Sequence, residues 1–209
     1  VLSAQMLADL VVHLRSAADD DAVRVVVLTG EGGTFCAGAD LSAAAEADAG
    51  SFAASGPRAL VAVLEAMLDH PKPIVARVQG HVAGGGNGLV AAADISVAVE
   101  SAKFAFSEVR VGVAPAVISV VCLARMNPSD ARELLLTGER VSAERARQAG
   151  LVTAVAEEAA FDAVVRSYVD RLMLGGPQAL ARTKELLRRV PSMPRDEAFA
   201  FTAEMSASL

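Results

Sequence analysis

Cysteine is scarce in this chain of 209 residues: Cys36 and Cys122 stand far apart, so no disulfide framework organises the fold. Free thiols in a reducing, cytoplasmic compartment are expected. Positive charge is also short, with 19 Lys plus Arg against 25 Asp plus Glu and a net charge of −6. That sign does not suit a broad grip on phosphate backbones, and no nucleic-acid partner is expected. Long hydrophobic runs are missing too. The uncharged stretch Val111 to Ala124 is broken by Gly112 and Pro115 and falls short of the roughly 20 apolar residues that span a bilayer. No membrane partner is expected, and with Asp9 inside the only place for an apolar leader, no export signal either.

Several catalytic signatures are absent as well. After Gly30 and Gly32, the third glycine position of a dinucleotide fingerprint is Phe35. Neither a phosphate-binding G-x-x-x-x-G-K-[ST] loop nor a G-x-S-x-G nucleophile elbow occurs. His13, His70 and His81 share no ligand spacing with each other or with the cysteines, so no metal site is expected. His13 and His70 read as ordinary helix-surface residues.

What is present is apolar and ordered. At 53% hydrophobic and 21% charged residues the chain can bury a sizeable core without staples. Met6, Leu7, Leu10, Val11 and Leu14 recur at helical spacing behind a candidate N-cap, Ser3. Val23 to Thr29 reads as a strand buried on both faces, Pro57 to Leu68 as a helix, and Ile74 to Val78 and Ile95 to Val99 as further buried strands. Strands and helices alternate, as in an α/β fold. From about Ser129 the pattern turns helical, through 129–136, 143–149, 159–174 and 178–190, with a short strand candidate at Leu151 to Val155.

Two glycine-rich segments each follow a strand: Phe35 to Leu41 (FCAGADL) and Gly80 to Gly88 (GHVAGGGNG). Small residues at such junctions let a ligand's polar atom reach backbone N–H groups, and two converging N–H groups make an oxyanion hole suited to a thioester enolate. The competing role for these glycines is close helix-to-strand packing.

Together with VRVVVLTG, KPIVARVQGHVAGGGNG, AADISVA, FAFSEVRVGVAPAVIS and ARELLLTGERVSAERARQAGLV, these segments resemble the crotonase, or enoyl-CoA hydratase/isomerase, family. The resemblance implies an α/β spiral of ββα units with a C-terminal helical trimerisation region. Residues 1–155 would hold the CoA and active site, and 156–209 would build a homotrimer or a dimer of trimers. It also implies further strands before the first helix and another helix after the last segment. The oxyanion-hole N–H groups would belong to Ala39 and Gly85. Ala37, Gly38, Asp40 and Leu41 would line the CoA side, with Gly84, Gly86 and Gly88 also in the binding site. Glu108 falls on the family's second catalytic glutamate, whereas the position of the first is Gly88.

That departure leaves one carboxylate. The segment SEVRVGVAPAVIS with Gly88 resembles hydratases of the methylglutaconyl-CoA or isohexenylglutaconyl-CoA type. The implied activity is reversible addition of water to a trans-2-enoyl-CoA. Its alternatives are a Δ3,Δ2-enoyl-CoA isomerase and a non-catalytic acyl-CoA-binding protein. No cofactor is implied beyond the CoA of the substrate. Asn87, His81 and Ser107 are weaker pocket candidates; Asp94 reads as structural, and Lys184 and Arg182 as solvated charges that could approach the CoA phosphates.

Overall fold

The computed structural model describes residues 1–38 and 49–208. Ser3 accepts a hydrogen bond from the Met6 N–H at 3.2 Å and caps helix α1 (Ala4–Asp19), which turns Leu7 and Leu14 inward. One pattern then repeats. Strand β1 (Val26–Thr29) leads to β2 (Thr34–Cys36) and helix α2 (Ala49–Leu68). Strand β3 (Ile74–Val78) leads to β4 (His81–Ala83) and α3 (Gly85–Ala92). Strand β5 (Ile95–Val99) leads to β6 (Lys103–Ala105), a 3₁₀ turn (Ser107–Val111), and helices α4 (Ala116–Arg125) and α5 (Pro128–Thr137).

The first strand of each unit joins one parallel sheet in the order β1-β3-β5-β8, where β8 is Ala154–Ala156. The second strands join another sheet, β2-β4-β6-β7, in which β7 (Arg140–Ser142) runs antiparallel to β6. This is the expected spiral of ββα units. Helix α6 (Ala143–Gln148) precedes β8, and helices α7 (Phe161–Met173), α8 (Pro177–Arg189) and α9 (Arg195–Ser208) complete the helical C-terminal region. With β1 and β5 on either side and α7 packed over it, β3 buries Ile74, Val75, Ala76 and Val78 completely.

Several elements differ from expectation for physical reasons. Strand β1 is three residues shorter at its start and alternates in burial, with Val27 43% exposed, because successive side chains point to opposite faces and one face is less covered. Helix α2 begins at Ala49 and holds Pro57 inside it; the missing N–H forfeits one helical bond, which an alanine-rich flank tolerates. The apolar stretch after Val111 contains α4, which buries Ile118, Val121 and Cys122. The strand expected at Leu151 to Val155 starts only at Ala154, since Leu151 and Val152 fill the core on the way in.

Two charge assignments are corrected. His70 is buried, not on the surface, and its ring nitrogens lie 3.0 Å from the Lys72 carbonyl and 3.1 Å from the Leu14 carbonyl. Burial pulls its pKa down. Lys184 is not free for a phosphate: its side chain is 10% exposed, and its ammonium donates to Asp94 Oδ2 at 2.7 Å and to the Lys72 carbonyl at 3.0 Å. Asp94 Oδ2 also accepts the Ile74 N–H at 2.7 Å, so Asp94 is structural, joining α8 to the start of β3.

Candidate active site

The site follows from strand register. In the second sheet β2, β4 and β6 are parallel, with Cys36 opposite Val82 and Ala83 opposite Ala105. The residues that follow these strands therefore emerge together: Gly38 after β2, Gly84 after β4, and Glu108 after β6. The carboxyl ends of parallel strands are where open α/β sheets place ligands.

The three meet at close range. A methyl group placed on Gly84, whose φ is +53°, would stand 3.5 Å from Glu108 Oε1 and 3.7 Å from Gly38 Cα. At Gly38, whose φ is +94°, it would stand 3.4 Å from the Ala83 carbonyl oxygen. Both positions lie in the left-handed region and both face a neighbour, so glycine suits them on two counts. The Gly38 carbonyl accepts the Leu2 N–H at 2.8 Å, which ties the N-terminal segment to this edge.

Glu108 sits in the 3₁₀ turn, which Gly112 closes with φ +77°. Its carbonyl accepts the Val113 N–H at 3.0 Å, and Arg110 Nε donates to the Thr137 carbonyl at 3.2 Å, anchoring the turn to the end of α5. Phe104 and Phe106, both almost fully buried, hold the strand that leads into it. The carboxyl is half-buried, and its Oε2 has no hydrogen-bond partner among the described residues. Burial raises its pKa above the ordinary carboxylate range, against a smaller lowering effect from its own backbone N–H. A carboxyl that holds its proton more tightly than usual, with a free oxygen, can both take and return one.

The glycines of the second segment divide into two roles. Gly84 and Gly85 form the turn into α3, in which the Asn87 N–H returns to the Gly84 carbonyl at 2.9 Å, while Gly85, at the first helical position, has no helical carbonyl one turn back to bond. Gly86 and Gly88 serve packing. A methyl at Gly86 would lie 2.7 Å from Cys36 Cβ, so glycine there lets α3 approach β2. At Gly88 it would lie 2.6 Å from Ile118 Cγ2, which fills the space where a side chain would go. Gly85 is also tight, 2.6 Å from Leu2 Cδ1 by the same construction.

Among the expected site residues the structure thus brings Glu108, Gly38, Gly84 and Gly85 to one edge. Ala37 is exposed beside them, and Gly86 and Gly88 lie in the packing beneath. Ala39, Asp40 and Leu41 lie outside the described residues. His81 is exposed, whereas Asn87 is fully buried. Cys36, six per cent exposed, is a core residue, and its thiol is also pushed up by burial. Cys122 was not foreseen as a neighbour of the site: its Sγ lies 3.7 Å from the Asn87 carbonyl oxygen. Burial, then the charge of Glu108, pushes its thiol up to about 12. That rules it out as a nucleophile near neutral pH.

Surface clefts of about 340 Å³, between the end of α2 and α8, and about 530 Å³, around Gly30–Gly33 and Arg77, include neither Glu108 nor the two glycine ends. The first is lined by the ion pairs Asp69–Arg188 and Arg182–Glu185. Among the described residues no group of three His, Cys, Asp or Glu side chains is arranged to hold a metal ion, and no helix is long and apolar enough to cross a membrane.

The fold is shared with known proteins. The family described as enoyl-CoA hydratase/isomerase matches residues 1–209. A carnitinyl-CoA dehydratase of Salmonella typhi is 36% identical over 185 residues, covering 88% of this chain and 70% of the relative. The crystal structure of an enoyl-CoA hydratase of Mycobacterium smegmatis superposes with a TM-score of 0.92 at 32% identity, over 97% of this chain and 79% of that one. An enoyl-CoA hydratase/isomerase of Marinobacter aquaeolei gives 0.91 at 32% identity, over 98% and 80%. With its spiral of ββα units and this match along its whole length, the chain belongs to the enoyl-CoA hydratase/isomerase family, which acts on CoA thioesters.

Proposed function

We propose that this chain is an enoyl-CoA hydratase that adds water reversibly to a trans-2-enoyl-CoA, with Glu108 as its one carboxyl. The observation that carries the reading is the approach of the Glu108 carboxyl, one oxygen unpartnered, to the Gly38 and Gly84 ends. The thioester carbonyl oxygen would bind the Gly85 N–H, with the Ala39 N–H as the second donor on the resemblance. Glu108 takes a proton from water as its oxygen bonds to C3. The electron pair of the C2–C3 double bond moves onto the thioester as an enolate, held by the two N–H groups. Protonated Glu108 then returns that proton to C2. The reaction needs a base, an acid and an oxyanion hole, and no cofactor beyond the CoA the substrate carries.

A second reading is favoured by Ile118, which occupies the space beside Gly88 and leaves one carboxyl. In a Δ3,Δ2-enoyl-CoA isomerase Glu108 would take a proton from C2 of a 3-enoyl ester and return it to C4 of the dienolate. The test follows the absorbance of the conjugated enoyl thioester with 2-enoyl and 3-enoyl esters, for the native enzyme and Glu108→Gln. Loss of the signal from 2-enoyl esters, abolished in the variant, supports the hydratase. A gain from 3-enoyl esters identifies the isomerase, and CoA binding without turnover identifies a non-catalytic binder.

The finer substrate reading is a carboxylated, glutaconyl-type chain, which meets less like-charge repulsion in a site with one carboxylate than with two. A clear preference for uncharged chains would remove it. Because a named relative is a carnitinyl-CoA dehydratase, carnitinyl-CoA belongs in the same series. The region from 156 to 209 is assigned to assembly into a trimer or dimer of trimers, with residues 1–155 carrying the CoA and active site. Light scattering in solution checks the mass.

A further inference from the structure

Asn87 breaks a local rule without an evident gain in stability. It is fully buried in α3 among Gly, Ala, Leu and Val, where an apolar residue would fill the same volume. Both hydrogens of its amide are used: Nδ2 donates to the Ala105 carbonyl at 2.8 Å and to the Gly84 carbonyl at 3.3 Å. Two carbonyls can face only the NH₂ side, so the orientation of the amide is settled. That leaves Oδ1 buried with no partner among the described residues. A sequence that keeps a polar group with an unmet acceptor in its core keeps it for something other than packing.

The partners show what it joins. The Ala105 carbonyl also accepts the Gly84 N–H at 3.2 Å, and the Asn87 N–H returns to the Gly84 carbonyl at 2.9 Å. Ala105 is the last residue of β6, three before Glu108, and Gly84 leads directly to Gly85. The amide therefore spans the two arms of the site. We propose that Asn87 is a positioning residue: it locks the turn that presents the Gly85 N–H to the end of the strand that delivers Glu108, and so sets the separation between oxyanion donor and carboxyl.

This inference rests on the reading of Glu108 and Gly85 given above, and its test separates the two. The variant Asn87→Leu keeps the branched skeleton and removes the amide; Asn87→Ala is the fallback that cannot overpack. The measurements are kcat and KM for enoyl-CoA on folded protein, checked by circular dichroism, and the titration of the Glu108 side-chain carboxyl by ¹³C NMR. The expected result is a fall in kcat of about 10- to 100-fold, the scale of a misplaced catalytic group, with KM changed less than about twofold. The Glu108 midpoint moves toward the ordinary carboxylate range. A kcat that falls only in step with folded fraction, with an unchanged midpoint, overturns the proposal. If the native enzyme turns over no ester, the functional reading fails, and the NMR midpoint still decides the role of Asn87: a shift supports it and constancy refutes it.

Discussion

Adding one methyl group at Gly88 tests whether this site has room for a second side chain. A Cβ there would lie 2.6 Å from Ile118 Cγ2 and 3.1 Å from Ile118 Cβ, where ordinary carbon contacts are about 3.5–4.0 Å. The overlap is thus on the order of 1 Å. Ile118 cannot easily yield, because it is 2% exposed and a β-branched side chain in a helix has one strongly preferred rotamer. Overpacking of this kind costs about 1–3 kcal/mol, against which alanine gains about 1 kcal/mol of helix propensity over glycine. Gly88→Ala should therefore destabilise the protein by about 0–2 kcal/mol. In an Ile118→Ala background the Cγ2 overlap is gone and only the 3.1 Å approach to the retained Cβ remains, which a shift of a few tenths of an ångström relieves. The new methyl also fills part of a cavity whose creation costs about 2–5 kcal/mol, so Gly88→Ala should then range from neutral to stabilising by about 1 kcal/mol. Urea denaturation of the four proteins at one protein concentration closes the double-mutant cycle. Equal effects of Gly88→Ala in the two backgrounds would refute the contact, and with it the steric reason for a single carboxyl.

Other expectations follow from the same structure. Because burial raises the Glu108 pKa above its unfolded value, the folded state binds that proton more tightly, so its contribution to stability is favourable at low pH and is lost as pH rises through the folded value. Glu108→Gln should therefore raise Tm at pH 8 by about 1–3 °C, a modest figure because the group is half-buried. The gain should vanish below the unfolded pKa, and a loss of Tm at pH 8 would contradict the burial argument. Lys184→Met leaves Asp94 with only the Ile74 N–H as donor to Oδ2, and because Lys184 is 10% and Asp94 27% exposed the loss falls between the surface and buried limits, about 1–3 kcal/mol; denaturation measures it, and a loss under about 0.5 kcal/mol would show the pair to be solvated. The Cys122 thiol, pushed up to about 12, should resist alkylation at pH 8 in the native protein and react after unfolding. Rapid native labelling at Cys122, located by mass spectrometry, would argue against that burial.

The sequence shows most clearly what depends on local pattern. Strand β5 coincides with the expected Ile95 to Val99, because an apolar run bounded by Asp94 and Glu100 leaves little freedom in its ends. Helix α1 and its Ser3 cap are likewise a matter of neighbours. Strand β7 escapes notice because Arg140–Ser142 shows no alternation over three residues. Helix α9 escapes because its apolar residues do not gather on one face, with Met205 buried and Phe199 69% exposed.

At the site, the residue types were visible but their distances were not. FCAGADL, GHVAGGGNG and Glu108 could be picked out as chemistry-bearing segments. That Gly38, Gly84 and Glu108 meet depends on the parallel register of β2, β4 and β6, a property of pairing across more than twenty residues. The same limit hid which glycines face the site and which pack. Gly86 and Gly88 look like Gly84 in the sequence, and only Cys36 and Ile118 on opposing elements distinguish them. Asn87 stands out in the sequence as a pocket candidate beside the glycine triplet, but that its amide joins the Gly84 turn to the end of β6 depends on pairing between distant strands.

The central claim is that a single carboxyl both activates water and protonates C2. Hydration of a 2-enoyl-CoA ester in D₂O, with the stereochemistry of the 3-hydroxyacyl product read by NMR, tests it most directly. One carboxyl serving both steps delivers oxygen to C3 and deuterium to C2 on the same face, and Glu108→Gln abolishes both. Oxygen and deuterium on opposite faces, or turnover that survives in Glu108→Gln, would contradict the account.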